Sequence, residues 1–242
     1  MTPRELTDRL QSVCGPRLRS VILYGSAAAG DFAGKRSDYN VLAVLDRIGI
    51  DELRALTKTT HAWVKAGNPP PLLFTADRLA RSADVFPIEI ADMKSNREVL
   101  FGVDPVAGID IDDNCLRRQL ESELKGKLIA LRERYLLTGG KPREITELLI
   151  QSLASLLVLF RAALRLYQSD VPASKIEALV ALARHIPLDA SAFQTVEQLK
   201  EGQKVPGVVP DDLFARYLET TETVLDAIDD FLHREDAQGG AR

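Results

Sequence analysis

The chain has 242 residues, 45% of them apolar and 27% charged, with a formal net charge of -4 and a pI near 5.5. That length supports one large domain or two modest ones with real cores, and the mild acidity gives no general electrostatic reason to bind nucleic acid. Two cysteines, Cys14 and Cys115, lie far apart with no histidine cluster nearby, which argues against a disulfide framework or a structural zinc site. The opening MTPRELTDRLQSVCG reads as a capped helix and lacks the uninterrupted apolar stretch of a signal peptide, so a cytoplasmic protein with no membrane partner is expected.

In chain order, Thr2 or Thr7 caps a helix carrying Leu6, Leu10 and Val13, and Gly15-Pro16 stops it. SVILYGS then reads as a strand ending at a glycine, with a short helix from Ser26 and a loop over Asp31 to Ser37. YNVLAVL, Tyr39 to Leu45, is apolar enough for an inner strand. A helix is expected from Ile50 to Ala66, stopped by the Gly67-Asn68-Pro69-Pro70-Pro71 cluster, and PLLFTA follows as a third strand. After a short helix near Asp77 to Ser82, the alternation in VFPIEIADM places Ile88 and Ile90 on one face of a fourth strand, with Glu89 on the other.

The texture changes near residue 110. Leu116, Leu120, Leu124, Leu128 and Leu131 form one helical stripe, Gly139-Gly140 breaks it, and Pro142 suits the first turn of the next helix. Ile145 to Tyr167 is apolar on more than one face and is interrupted by Glu147, Gln151, Arg161 and Arg165, the pattern of a central bundle helix. Shorter helices are expected at Ser174 to Arg184 and Asp189 to Gly202, and Asp211 to His233 closes the bundle. The expected fold class is α+β: a small mixed sheet with helices over residues 1–110, a helical bundle over 111–235, and a disordered tail over 236–242.

Three places carry residues suited to chemistry. Gly25-Ser26 sits where a strand turns into a helix; glycine permits the tight path, and the free amides with the Ser26 hydroxyl suit a phosphate. Asp38 and Asn40 are two apart in extended chain, so they share a face. Glu89 is the sole acid in VFPIEIA. If its strand neighbours Tyr39 to Leu45, then Asp38, Asn40 and Glu89 converge as oxygen ligands for magnesium beside a phosphate-holding turn. The competing reading makes Gly25-Ser26 a packing solution, Asp38 a strand start, Asn40 a local turn partner and Glu89 a solvent-facing side chain.

The segment LYGSAAAGDFAGKRSDYNVLAVL resembles the signature of the nucleotidyltransferase superfamily, which includes DNA polymerase beta and the kanamycin and streptomycin adenylyltransferases. By that resemblance Gly25, Ser26 and Gly30 match the turn and helix, Ser37 and Asp38 match the Ser-Asp pair, Asn40 stands in the place of the second Asp, and Glu89 is the candidate third carboxylate. FPIEIADMKSNREVLFGVDP is similar to the end of the catalytic domain in antibiotic-modifying members, and the helical segment beyond is similar to their carboxy-terminal bundle. The resemblance implies transfer of a nucleoside monophosphate from a nucleoside triphosphate such as ATP to a hydroxyl of a small-molecule or protein acceptor, with Mg2+ held by Asp38, Asn40 and Glu89. The acceptor is expected where the two domains meet; from the acidic net charge nucleic acid is not the expected partner, and a homo-oligomer is left open.

Two departures stand out. Ala29 precedes Gly30 where close bacterial members often have Arg, and Asn40 offers a carbonyl oxygen without negative charge. The second points to an alternative, a catalytically impaired relative serving as a nucleotide-binding or protein-interaction module; Asp31 or Asp92 could instead supply the missing ligand. Of the remaining polar residues, His61, His185 and His233 read as surface or helix-end residues. Arg117, Arg118, Lys125 and Lys127 read as solvated charge on the first bundle helix, and Tyr39 as a core residue.

Overall fold

The computed structural model describes residues 1–25, 27–28 and 38–231. The chain divides into two compact units, Met1–Asp112 and Asp113–Arg242.

In the first unit, helix α1 (Pro3–Cys14) starts at Thr2, whose hydroxyl accepts the Glu5 amide while the Glu5 carboxylate accepts the Thr2 amide at 2.8 Å, a reciprocal cap. Strands β1 (Leu18–Tyr24) and β2 (Asn40–Leu45), helix α2 (Ile50–Lys65), strand β3 (Leu72–Phe74), helices α3 (Ala76–Arg81) and α4 (Pro87–Ser95) and strand β4 (Arg97–Gly102) follow. The sheet runs β3-β2-β1-β4, with β1 antiparallel to both β2 and β4, and β2 parallel to β3. β2 is therefore an inner strand, in keeping with its apolar run.

Both faces of the sheet are covered, and residue parity along β2 assigns them. Val41, Ala43 and Leu45 join Leu6, Leu10, Leu56 and Trp63 in the core beneath α1 and α2. Leu42 and Val44 join Leu79, Ile90 and Met93 in the core beneath α3 and α4. β1 and β4 approach so closely at their far ends that a β-carbon on Gly102, at φ +76°, would stand 1.9 Å from the Arg19 carbonyl oxygen; only glycine fits.

One element differs from expectation. VFPIEIADM does not form the fourth strand; Pro87 opens α4, and the strand beside β1 is REVLFG. Ile88, Ile90, Ala91 and Met93 are all buried, which the i, i+3, i+4 spacing of a helix on a sheet achieves. The I-E-I alternation is only three residues long, too short to separate the two periods. Glu89 is thus a helix residue.

The second unit is helical: α5 (Asp113–Thr138), α6 (Pro142–Leu164), α7 (Lys175–Leu182), α8 (Ser191–Lys200) and α9 (Pro210–Asp229). α6 packs against the other four and contributes Leu149, Leu153, Leu156 and Phe160 to the core. Its length and composition would suit a bilayer, but 61% of its most apolar window is buried within the protein. Phe193 stacks on Tyr217 at 3.9 Å and meets Phe160 edge-on at 5.0 Å, tying α8 and α9 to α6. Residues 236–242, expected as a tail, lie outside the described residues.

Candidate functional site

The end of β1 and the start of β2 are direct partners: Tyr24 faces Asn40 across the ladder, and on the other side Tyr24 faces Arg97 of β4. Immediately after Tyr24 the chain turns at Gly25, with φ +82°, a region that side chains with a β-carbon rarely enter. The turn is fixed by main-chain bonds, Gly25 N–H to the Asn96 carbonyl at 3.0 Å and Ala28 N–H to the Gly25 carbonyl at 3.0 Å. The Asn40 side chain reaches this turn: its Nδ2 lies 3.5 Å from where a Gly25 β-carbon would be.

Alternation along β2 sends Tyr39 into the α1/α2 core, where its ring is 6.1 Å from that of Trp63. Asn40, half-buried, is consequently on the α3/α4 side with Tyr24. Glu89 belongs to the same side. It is exposed in the first turn of α4, and its charge is felt by Tyr24: burial first, and the Glu89 carboxylate second, push the Tyr24 hydroxyl up to about 12. A carboxylate in a first helical turn also complements the helix dipole, so Glu89 has a local structural role as well. Asp92 is one turn further along α4, a neighbour of Glu89 in a helix although a strand would have turned it to the opposite face.

The structure brings Gly25 and Asn40 close together at the end of the β1–β2 ladder, and Glu89 lies on α4, which covers the face of the sheet that Asn40 shares. Asp38 precedes β2 by two residues and is exposed. Ser26, Gly30 and Ser37, with Ala29 and Asp31, lie outside the described residues. Among the described residues no three His, Cys, Asp or Glu side chains form a metal-ready group. The candidate donor set is two carboxylates and one amide, oxygen donors of the kind magnesium takes, but with less negative charge than three acids.

Sequence reasoning missed what holds this rim in place. Asn68, in the cluster read only as a helix stop, is buried, and its Oδ1 accepts the Tyr39 N–H at 3.1 Å. Tyr24 was also missed, although its position just before the glycine turn could have flagged it. The basic residues of α5 are mostly engaged within the bundle: Arg117 with Glu121 at 2.8 Å, and Lys125 with Glu121 and, at 3.3 Å, Asp229. His185 stacks on Tyr167 at 5.3 Å, and His61 is exposed.

No family model matches the chain, and no curated protein matches it. Among solved structures, spectinomycin adenyltransferase AAD(9) from Enterococcus faecialis, determined with ATP and spectinomycin, aligns over 92% of this chain and 99% of its own, with a TM-score of 0.56 at 10% identity. A toxin-antitoxin structure with AMP-PNP aligns over 43% of this chain and 76% of its own, with a TM-score of 0.30 at 17% identity. At such identity the first similarity establishes the fold: this chain has a nucleotidyltransferase-like α+β fold, a small mixed sheet with helices followed by a helical bundle.

Proposed function

We propose that the rim formed by Gly25, Asp38, Asn40 and Glu89 binds a nucleoside triphosphate with magnesium, and that the chain transfers the nucleoside monophosphate to a hydroxyl of a small-molecule or protein acceptor. The observation carrying this reading is the Tyr24–Asn40 pairing, which sets the Asn40 amide beside the glycine turn at Gly25. The fold shared with an adenyltransferase solved with ATP supports it.

The chemistry asked of these residues is modest. The acceptor oxygen bonds to the α-phosphorus, the bond to the β-phosphate oxygen breaks, pyrophosphate leaves, and the acceptor proton passes to a nearby carboxylate or water. The Gly25 turn lets backbone approach the phosphates without a side chain in the way, Ser26 offers a hydroxyl, and Gly30 and Ser37 belong to the same segment by motif. Asp38 and Glu89 would hold magnesium by carboxylate and Asn40 by its amide oxygen; when bound, the metal supplies charge neutralisation on the phosphates. Glu89 serves from a helix, so its reach depends on the side chain more than on sheet register.

A second reading is favoured by one residue. Asn40 brings no charge to a place that must offset metal and phosphate, which suits a module that binds nucleotide weakly or acts through protein contacts. Calorimetric titration with each nucleoside triphosphate, with and without magnesium, on the native protein and Asn40→Asp, tests both. Magnesium-dependent binding by the native protein, with pyrophosphate release once an acceptor is supplied, is the expected result. Binding only in Asn40→Asp sustains the impaired reading, and binding in neither overturns the nucleotide site.

A further inference from the structure

Asp38 and Asn40 flank Tyr39, so the spacing between two proposed ligands is set by the backbone at Tyr39. That backbone is held from a distant part of the chain. The Tyr39 N–H donates to Asn68 Oδ1 at 3.1 Å, and Asn68 Nδ2 donates to the Trp63 carbonyl at 3.5 Å. The Trp63 indole N–H in turn donates to the Pro69 carbonyl at 2.8 Å. Asn68 is 8% exposed and Trp63 fully buried, so the amide that links them is largely shielded from competing water, while Tyr39 is half-buried.

An amide is the side chain this place calls for. It must accept from a main-chain N–H just ahead of a strand and donate to a helix-end carbonyl, which a carboxylate or an aliphatic group cannot do together. Tyr39 falls just ahead of β2, where ladder bonds to β1 begin at Asn40, so the side-chain amide supplies the restraint that the ladder does not. The prolines after Asn68 limit the loop's own freedom and keep the amide in register.

We infer that Asn68 is a positioning residue for the metal and nucleotide site, acting through the Tyr39 backbone to fix the separation of Asp38 and Asn40. The inference rests on the reading of that rim as a magnesium-nucleotide site. Residues that orient metal ligands from outside commonly change metal affinity about 10- to 100-fold when replaced. Asn68→Leu removes both bonds at similar volume, and Asn68→Asp keeps the acceptor for Tyr39 while losing the donor.

The test measures the magnesium concentration giving half-maximal ATP affinity in the intact chain, for the native protein, Asn68→Leu, Asn68→Asp and Leu6→Ala. Leu6 is buried in the same core, on the face of the sheet opposite Asn40, and is not itself a proposed ligand, so its variant is a control for lost stability. Trp63, the single tryptophan, reports by fluorescence that each variant is folded at the temperature used. The expected result is a rise of about 10- to 100-fold in the magnesium requirement for Asn68→Leu, a smaller rise for Asn68→Asp, and none for Leu6→Ala. Equal requirements in native and Asn68→Leu proteins, or equal rises in Asn68→Leu and Leu6→Ala, overturn the positioning role and leave the nucleotide site standing. No magnesium-dependent ATP binding by the native protein or by Asn40→Asp overturns both. Should Asn68→Leu fail to fold, the comparison of Asn68→Asp with Leu6→Ala decides on the same terms.

Discussion

Asn40 closes over the space beside Gly25 at the end of the β1–β2 ladder: its amide nitrogen stands 3.5 Å from the position a Gly25 β-carbon would take, and Gly25 holds φ +82°. That distance is ordinary contact, so an added methyl group would fit; the dihedral is what resists it. Gly25→Ala is expected to lose about 1–2 kcal/mol of stability, the cost of a left-handed backbone for an L-residue. Urea unfolding checks the magnitude. A change under a few tenths of a kcal/mol would mean that the turn relaxes to accept a side chain.

The Tyr24 hydroxyl gives direct access to the placement of Glu89. Burial and the Glu89 carboxylate together push it up to about 12, so Tyr24 stays protonated through the range where an exposed tyrosine ionises. Because its folded value is raised, its contribution to stability is complete below the ordinary value near 10 and is lost as pH rises from there through the folded value. Glu89→Gln should lower the ionisation midpoint of Tyr24, leaving the part due to burial. Ultraviolet difference titration, with Tyr24→Phe subtracted, reads it; an unmoved midpoint would place Glu89 away from Tyr24.

Asp104 sets a limit at acid pH. Burial works to raise its carboxyl, but the Arg97 guanidinium at 2.7 Å and the amides of Val106 and Ala107 at 3.0 and 3.2 Å outweigh it and hold the carboxyl below its ordinary 3.8. A depressed carboxylate stabilises the fold above its unfolded value, and that contribution disappears as pH falls through the folded one. The thermal midpoint of the native protein should exceed that of Asp104→Asn at pH 7, and the gap should shrink below about pH 4. A gap unchanged from pH 7 to 3 would assign the difference to packing alone.

Leu156 on α6 is fully buried among the helices of the second unit. Leu156→Ala should cost about 2–5 kcal/mol, the range for a buried leucine cut to alanine. Chemical denaturation followed by far-ultraviolet circular dichroism measures it, and a shift below 1 kcal/mol would contradict the central place of α6.

These cases separate what was legible in the chain from what was not. Strand β2 and helices α5 and α6 announce themselves because a long apolar run or a leucine stripe repeats often enough to fix its period. α4 did not, since Ile88-Glu89-Ile90 mimics a strand over three residues while the helical pairs Ile88/Ala91 and Ile90/Met93 extend beyond it; Pro87 before it, a good first helical residue, and the strand-forming REVLF after it were the signals available. Gly25 was legible because few residues can turn a chain there. Asn68 was not, because its hydrogen bond spans 29 positions and a cluster of glycine and prolines looks the same whether its asparagine faces water or a strand. Tyr24 required knowing that β1 lies between β2 and β4.

The pairing of Tyr24 with Asn40 has a wider consequence. β1 ends and β2 begins at facing positions, so the pairing at this end fixes the register of the two strands. Face assignment in β2 thus hangs on that match: a slip of one residue would carry Val41, Ala43 and Leu45 to the face now held by Leu42 and Val44, and would unmake both cores at once.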